Sequence, residues 1–248
     1  MRFDTADNIF FNNLAVDGVY LNNELIYPLG MPTNGLLFHY DPSDTSSYPG
    51  TGTTVTDLSG NGNNGTLTNG VGFSSDLFTF DGNNDYIDLP NGFADFTNGF
   101  SFFAIANFGT VGNWERLFDF GNGQGNNNIL LARRNTTNDI TFELYNGTTS
   151  TGQATVSNGV LNSTLAFYGV TLDGTNCRIY RNGSLLSTIS YPYLPSNITR
   201  TNNYIGRSNW SVDAYFQTTM GPVGMYDRTI SETEMNRIYD LYSNTYSI

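Results

Sequence analysis

No lysine occurs anywhere in the 248 residues; all ten basic side chains are arginine. Against 22 Asp and Glu this leaves a formal net charge of −12. A surface of that sign repels phosphate backbones, so nucleic acid is not the expected partner. Histidine is as scarce. His39 is the only one, which excludes a His-based zinc cluster and makes any Ser-His-Asp triad depend on a single ring. Between Phe38 and Tyr40 that ring reads as a packed side chain. Cys177 is also alone, so no intramolecular disulfide can form. Within Asn176-Cys177-Arg178-Ile179-Tyr180 it reads as a packed thiol. No apolar run approaches the roughly 20 residues of a membrane helix, so membrane insertion is not expected. The start, Met1-Arg2-Phe3-Asp4, lacks the basic stretch and apolar core of a secretory signal.

What the sequence does contain is aromatic and turn-rich. Aromatics make up 15% of it and charged residues 13%, with 27 Gly and 8 Pro. Few helix-forming charges and many Thr, Tyr and Phe between Gly/Asn clusters argue for an all-β chain. The length suits one large β domain and a small appendage. Residues 1–30 form the appendage. Val16-Asp17-Gly18-Val19-Tyr20-Leu21, the pair Asn22-Asn23, and Glu24-Leu25-Ile26-Tyr27-Pro28 read as a β-hairpin with a two-residue turn. A lone hairpin is marginal in water, so it must lean on another surface. Residues 31–248 form the main domain. Its strands include Gly35 to Asp41, Phe100 to Ala106 (an aromatic run suited to burial between two sheets) and Leu165 to Leu172. Ser231 to Tyr239 breaks the pattern: Ser231 is an N-cap and Glu234 completes a capping box. Ile230, Met235, Ile238 and Tyr239 share a face, so one short C-terminal helix is expected.

The stretch Asp57-Leu58-Ser59-Gly60-Asn61-Gly62-Asn63-Asn64-Gly65-Thr66-Leu67, followed by Phe80-Asp81-Gly82-Asn83-Asn84-Asp85-Tyr86-Ile87, resembles the N-terminal signature of laminin G-like domains. Asp173-Gly174 with Arg178 to Gly183, Tyr204-Ile205-Gly206, and Met225 to Met235 resemble later parts of the same pattern, in family order. The resemblance runs from about Gly35 to Tyr242. It implies a concanavalin A-like β-sandwich, a jelly roll of two antiparallel sheets. It also implies a binding or adhesion module, often for carbohydrate and often with calcium. Two positions depart from the pattern: Met220-Gly221-Pro222-Val223 stands where relatives carry an acidic pair, and Phe167-Tyr168 replaces a Trp-His. Both count against an inherited calcium site. The N-terminal block, with its Leu-Ile-Tyr-Pro ending, resembles short β-segments of tailed-phage virion proteins.

Jelly-roll glycanases set two carboxylates about 5–5.5 Å apart on alternating strand positions. The only glutamates are Glu24, Glu115, Glu143, Glu232 and Glu234, and none begins such a cluster. No enzyme is expected. Aromatic faces in loops stack on sugar rings and anchor interfaces, so Trp210 with its neighbour Asn209, Tyr215, Trp114 and Tyr48 are the candidate ligand-binding residues. Asp81, Asn83 and Asp85, with Asp88 beyond them, offer oxygen ligands for calcium, although turn-forming Asp and Asn explain the same residues. Together these features lead to an expected virion structural protein in a capsid decoration, tail fibre or baseplate. It would be homo-oligomeric, held to other virion proteins by the N-terminal segment, and display a domain for host-surface glycans. A bacterial surface or secreted adhesion module and a capsid cement protein that binds no sugar remain the alternatives.

Overall fold

The computed structural model describes residues 30–110 and 112–248, together with the backbones of five short strands before them. Of those five, β1 (Arg2–Phe3), β2 (Ile9–Phe11) and β3 (Leu14–Ala15) pair antiparallel in that order. β4 (Val19–Leu21) pairs antiparallel with β5 (Glu24–Tyr27), Leu21 opposite Glu24. The strand pair expected from the sequence is therefore present; its Asn22-Asn23 turn lies outside the described residues.

Sixteen further strands form two antiparallel sheets. In chain order they are β6 (Leu36–Tyr40), β7 (Thr54–Val55), β8 (Gly65–Thr68), β9 (Gly72–Ser74), β10 (Leu77–Asp81), β11 (Tyr86–Asp88), β12 (Phe100–Phe108) and β13 (Arg116–Gly121). They continue as β14 (Ile129–Arg133), β15 (Ile140–Asn146), β16 (Thr149–Val156), β17 (Ala166–Leu172), β18 (Asn176–Arg181), β19 (Ser184–Ser190), β20 (Asn202–Ile205) and β21 (Gln217–Tyr226). The front sheet runs β19-β18-β17-β12-β21-β10-β9, with β6 also on β21. The back sheet runs β16-β15-β14-β13-β20-β11-β8-β7. This is the expected sandwich of two antiparallel sheets, closed by one helix, α1 (Glu232–Tyr246).

Strand alternation sends Phe100, Phe102, Ala104, Ala106 and Phe108 of β12 into the space between the sheets. There Phe102 meets Phe118 of β13 with ring centroids 4.4 Å apart. The run was expected to be buried wholly between the sheets, and half of it is not. Phe103 and Ile105 face outward, under Met235, Ile238 and Tyr242 of α1. The helix thus explains why β12 is apolar on both faces. Gly224 on neighbouring β21 serves the same outer layer: a Cβ there would stand 2.6 Å from Phe103 Cε1. His39 belongs to this layer too, its Nε2 2.8 Å from the Tyr242 hydroxyl. It is a packed residue, and burial lowers its pKa.

Ser231 caps α1, its Oγ accepting from the Glu234 N–H while Glu234 Oε2 accepts from the Ser231 N–H. Arg228 donates to both Glu234 oxygens, at 3.0 and 2.5 Å, and this holds the Glu234 carboxyl down at about 2. A carboxylate with a depressed folded pKa stabilises the fold above its unfolded value, near 4.3. That contribution is lost as pH falls towards about 2. The unfolding midpoint of Glu234→Gln, followed by circular dichroism, is therefore expected to fall less steeply than wild type between about pH 4.5 and pH 2. Equal slopes would show that the pair does not carry the acid response.

Cys177 is fully buried in the inter-sheet core, and burial pushes its thiol far above the ordinary range. A thiol reagent is expected to label none of it in the native protein and one site per chain in denaturant. Native labelling would mean that the front sheet opens.

The Asp57 to Leu67 stretch is a hydrogen-bonded turn. Asp57 Oδ1 accepts from the His39 and Ser59 N–H groups, and its Oδ2 from the Asn63 N–H. The side-chain amides of Asn61 and Asn63 donate to the Leu36 and Leu37 carbonyls. The polar loop is thereby tied to the edge of β6. Among the described residues no helix is long and apolar enough to cross a membrane.

Candidate functional site

Register places one row of side chains across the outer face of the back sheet: Asp88, Tyr204, Asp119, Leu130, Glu143 and Gln153, on β11, β20, β13, β14, β15 and β16. Their alternates, including Ile87, Phe118, Phe120 and Phe142, fill the core. The loop of residues 206–216, between β20 and β21, lies over this face. Its anchor is Asp119, which accepts from the Asn209 N–H at 2.9 Å, from the Asn209 side-chain amide at 3.0 Å and from Asn128 Nδ2 at 2.8 Å.

Between that loop and the sheet is a groove of about 220 Å³ lined by Trp114, Arg116, Glu143, Tyr145, Gln153, Trp210 and Asp213. Trp114 and Arg116 reach it together because Glu115 between them is buried elsewhere. Glu115 pairs with Arg133 at 3.3 Å and accepts from the Gln217 N–H. The Arg116 guanidinium stands 5.3 Å from the Trp114 ring and 5.5 Å from the Trp210 ring. It donates to the Trp114 carbonyl at 2.9 Å and to Asp213 Oδ2 at 2.8 Å, and its Nε lies 3.5 Å from Asp119 Oδ2. Trp210 also meets Tyr145, ring centroids 5.5 Å apart. Trp114 holds φ at 55°, a left-handed conformation that costs a bulky residue about 1–3 kcal/mol. Such strain persists where surrounding contacts over-determine it, and here Arg116 and the Asn135 carbonyl hold the Trp114 backbone.

Burial raises the Glu143 and Asp213 carboxyls above their ordinary range, and the positive charge of Arg116 opposes it in both. Asp213 is occupied by Arg116 and by the Ser208 hydroxyl, Glu143 by the Gln153 amide at 2.5 Å. The groove therefore offers half-buried aromatic rings beside a carboxylate and an amide. That combination takes the apolar face of a sugar ring and the hydroxyls at its edge.

Of the five residues singled out from sequence, Trp114 and Trp210 meet in this groove. Asn209 does not line it; its side chain is turned down onto Asp119. Tyr215 lies to one side, 5.9 Å from the Arg207 guanidinium. Tyr48 must be corrected: it is only 4% exposed, packed edge-on between Phe73 and Phe78 with its hydroxyl on the Gly52 carbonyl. No ring face is left there for a ligand. Sequence reasoning missed Arg116, Glu143, Tyr145, Gln153 and Asp213. One signal was available, Glu143-x-Tyr145 on β15, a pair that strand alternation puts on one face.

The Asp81 to Asp85 loop is a turn lock. Asp81 accepts from the Asn83 N–H and side-chain amide, and Asp85 Oδ2 accepts from the Asp81 N–H. Asn83 thus presents its amide N–H to Asp81. Among the described residues no three His, Cys, Asp or Glu side chains group closely enough to hold a metal ion.

A model of the laminin G-like family matches residues 81–236, which is more than half of the chain. The chain belongs to the concanavalin A-like lectin/glucanases superfamily. The solved structures of this fold that resemble it do so at low identity. A Trypanosoma rangeli sialidase is 16% identical over 88% of this chain and 34% of its own, with a TM-score of 0.63. The binding domain of botulinum neurotoxin DC, in complex with SialylT, is 12% identical over 84% of this chain and 52% of its own, with a TM-score of 0.64. Domain 4 of an extracellular arabinanase from Geobacillus stearothermophilus, in complex with arabinotriose, is 16% identical over 82% of this chain and 98% of its own, with a TM-score of 0.64. The chain thus spans a third to a half of the sialidase and neurotoxin chains and matches the arabinanase domain nearly end to end. At these identities the likeness is one of fold. No curated protein matches the chain by sequence.

Proposed function

We propose that this lectin-like protein is a non-catalytic glycan-binding component of a tailed-phage particle, with the back-sheet groove as its sugar site. One observation carries the reading: two tryptophans distant from each other in sequence converge on a single arginine at an open groove with polar edges. The arabinotriose complex of the arabinanase domain and the SialylT complex of the neurotoxin domain support a sugar ligand for this fold. The resemblance of the N-terminal segment to virion β-segments supports attachment of residues 1–30 to other virion proteins, in a homo-oligomer whose many copies would turn weak sites into avid ones. Catalysis is not part of the proposal, because the two carboxylates of the groove are engaged by Arg116, Ser208 and Gln153 rather than free to face one another.

A glycan array is the test. Binding to a defined set of neutral or acidic glycans, with no reducing sugar released from them, is the expected result. Silence across the array would overturn the sugar reading, and released sugar would overturn the non-catalytic one.

A further inference from the structure

A second feature lies on the same face, on the other side of Tyr204 from Asp119 in the cross-strand row. Arg207, just beyond β20, places its guanidinium carbon 4.4 Å from the Tyr204 ring centroid, 4.6 Å from that of Tyr86 and 5.9 Å from that of Tyr215. Tyr86 and Tyr204 stand edge to face at 5.2 Å, so the two rings form a fixed corner. All four side chains are partly exposed. The other arginines of the main domain hydrogen-bond or pair within the protein. Arg116, Arg133, Arg178 and Arg228 form ion pairs, and Arg134, Arg181 and Arg200 donate to side-chain or backbone oxygens. Arg237 also has an interaction partner. Arg207 makes no hydrogen bond or ion pair with any described residue, in a chain whose net charge is −12. Its guanidinium packs on ring faces, and its N–H donors have no hydrogen-bond partner among the described residues.

We propose that Arg207, with Tyr86, Tyr204 and Tyr215, is a binding site for a carboxylate-bearing sugar, separate from the tryptophan groove. A guanidinium stacked on aromatic rings is held in the plane from which it grips a carboxylate with two parallel hydrogen bonds. The tyrosine rings and hydroxyls then receive the sugar body. The opposing charge near the site is Asp88, which sits beside Tyr204 in the row and interacts electrostatically with Arg207. It competes with an incoming carboxylate for the same guanidinium. That competition predicts the sign of a second variant: removing the Asp88 charge tightens an acidic sugar and weakens a neutral one, which would lose an acceptor for its hydroxyls.

The test is an NMR or calorimetric titration of the full chain with glucuronic acid and with N-acetylneuraminic acid, against glucose, methyl glucuronate and acetate. At least one of the two acidic sugars is expected to bind at least tenfold more tightly than glucose or the methyl ester, and more weakly as salt is raised. Arg207→Ala should remove at least tenfold of that affinity without lowering the unfolding temperature appreciably, while Asp88→Asn strengthens it. In the NMR titration the shifts should centre on Tyr86, Tyr204 and Tyr215 and spare the Trp114 and Trp210 indole signals, which keeps this binding distinct from the fate of the groove. Four results would overturn the proposal: no preference for acidic over neutral sugar, undiminished binding by Arg207→Ala, weakening by Asp88→Asn, or acetate as strong a ligand as the sugar.

Discussion

Trp210→Ala is expected to weaken glycan binding at least tenfold, a loss of about 1.4–2 kcal/mol, as removal of a central aromatic anchor does. Trp210 contributes a ring that a sugar can cover, and its own packing partners are Arg116 and Tyr145. Truncation therefore deletes the ring proposed to meet the ligand while the sandwich core, to which Trp210 does not belong, stays intact. The cation–π attraction between that ring and Arg116 is worth about 1 kcal/mol or less. For a domain of this size its removal lowers the melting temperature by only about 2–4 °C. Trp210→Phe keeps a ring and should recover part of the affinity. Equal affinity in wild type and Trp210→Ala, measured by titration with the best array ligand, would move the sugar site away from this groove.

The largest loss of stability is expected from Asp119→Ala. Asp119 is wholly buried, and its carboxylate serves Asn128, the backbone and side chain of Asn209, and Arg116. Burial favours its protonated form, and the charge of Arg116 with these hydrogen bonds opposes that. Deletion leaves the donors without an acceptor and Arg116 with Asp213 as its one ion-pair partner among the described residues. Breaking a buried charge network from one side costs about 3–5 kcal/mol, or a fall in melting temperature of roughly 10 °C. It also releases the 206–216 loop from the sheet, so glycan binding should decline along with stability. Asp119→Asn keeps an acceptor of the same shape and should cost less than the alanine variant. A melting temperature for Asp119→Ala within about 2–3 °C of wild type, by calorimetry or fluorescence, would show that the network does not hold the loop.

The contrast between these two residues shows where sequence reading succeeds. Trp210 stood out because a large aromatic between Asn209 and Ser211 in turn-rich sequence is conspicuous without any structure. Asp119 did not, because Phe118-Asp119-Phe120 looks like any polar position on the outer side of a strand. Only the docking of a loop 90 residues later in the chain makes it a buried anchor. Tyr48 failed in the opposite direction: its Ser-Tyr-Pro-Gly context reads as an exposed loop, yet the ring tucks between Phe73 and Phe78. Local composition reports how often a residue type is exposed, not whether a particular loop folds back over the core. The same holds for the run from Phe100 to Ala106, whose apolarity was legible while the identity of the layer on each side was not.

By itself the sequence determined the architecture class. Its strand alternation, Gly/Asn turns, capping box and ordered family motifs all act over a few residues, and they give the same answer wherever they occur. It also excluded a disulfide within these 248 residues and a histidine metal cluster, since those follow from counting. The tertiary structure decided which residues the candidate site brings together. Trp114 and Trp210 lie far apart in the chain, and Tyr86, Tyr204 and Arg207 come from two strands and a loop. The physical reason is that a binding surface is a property of neighbours across strands. Register and loop docking set those neighbours, and the Asp119 and Arg116 pairs that fix them become visible only once the sheets have closed.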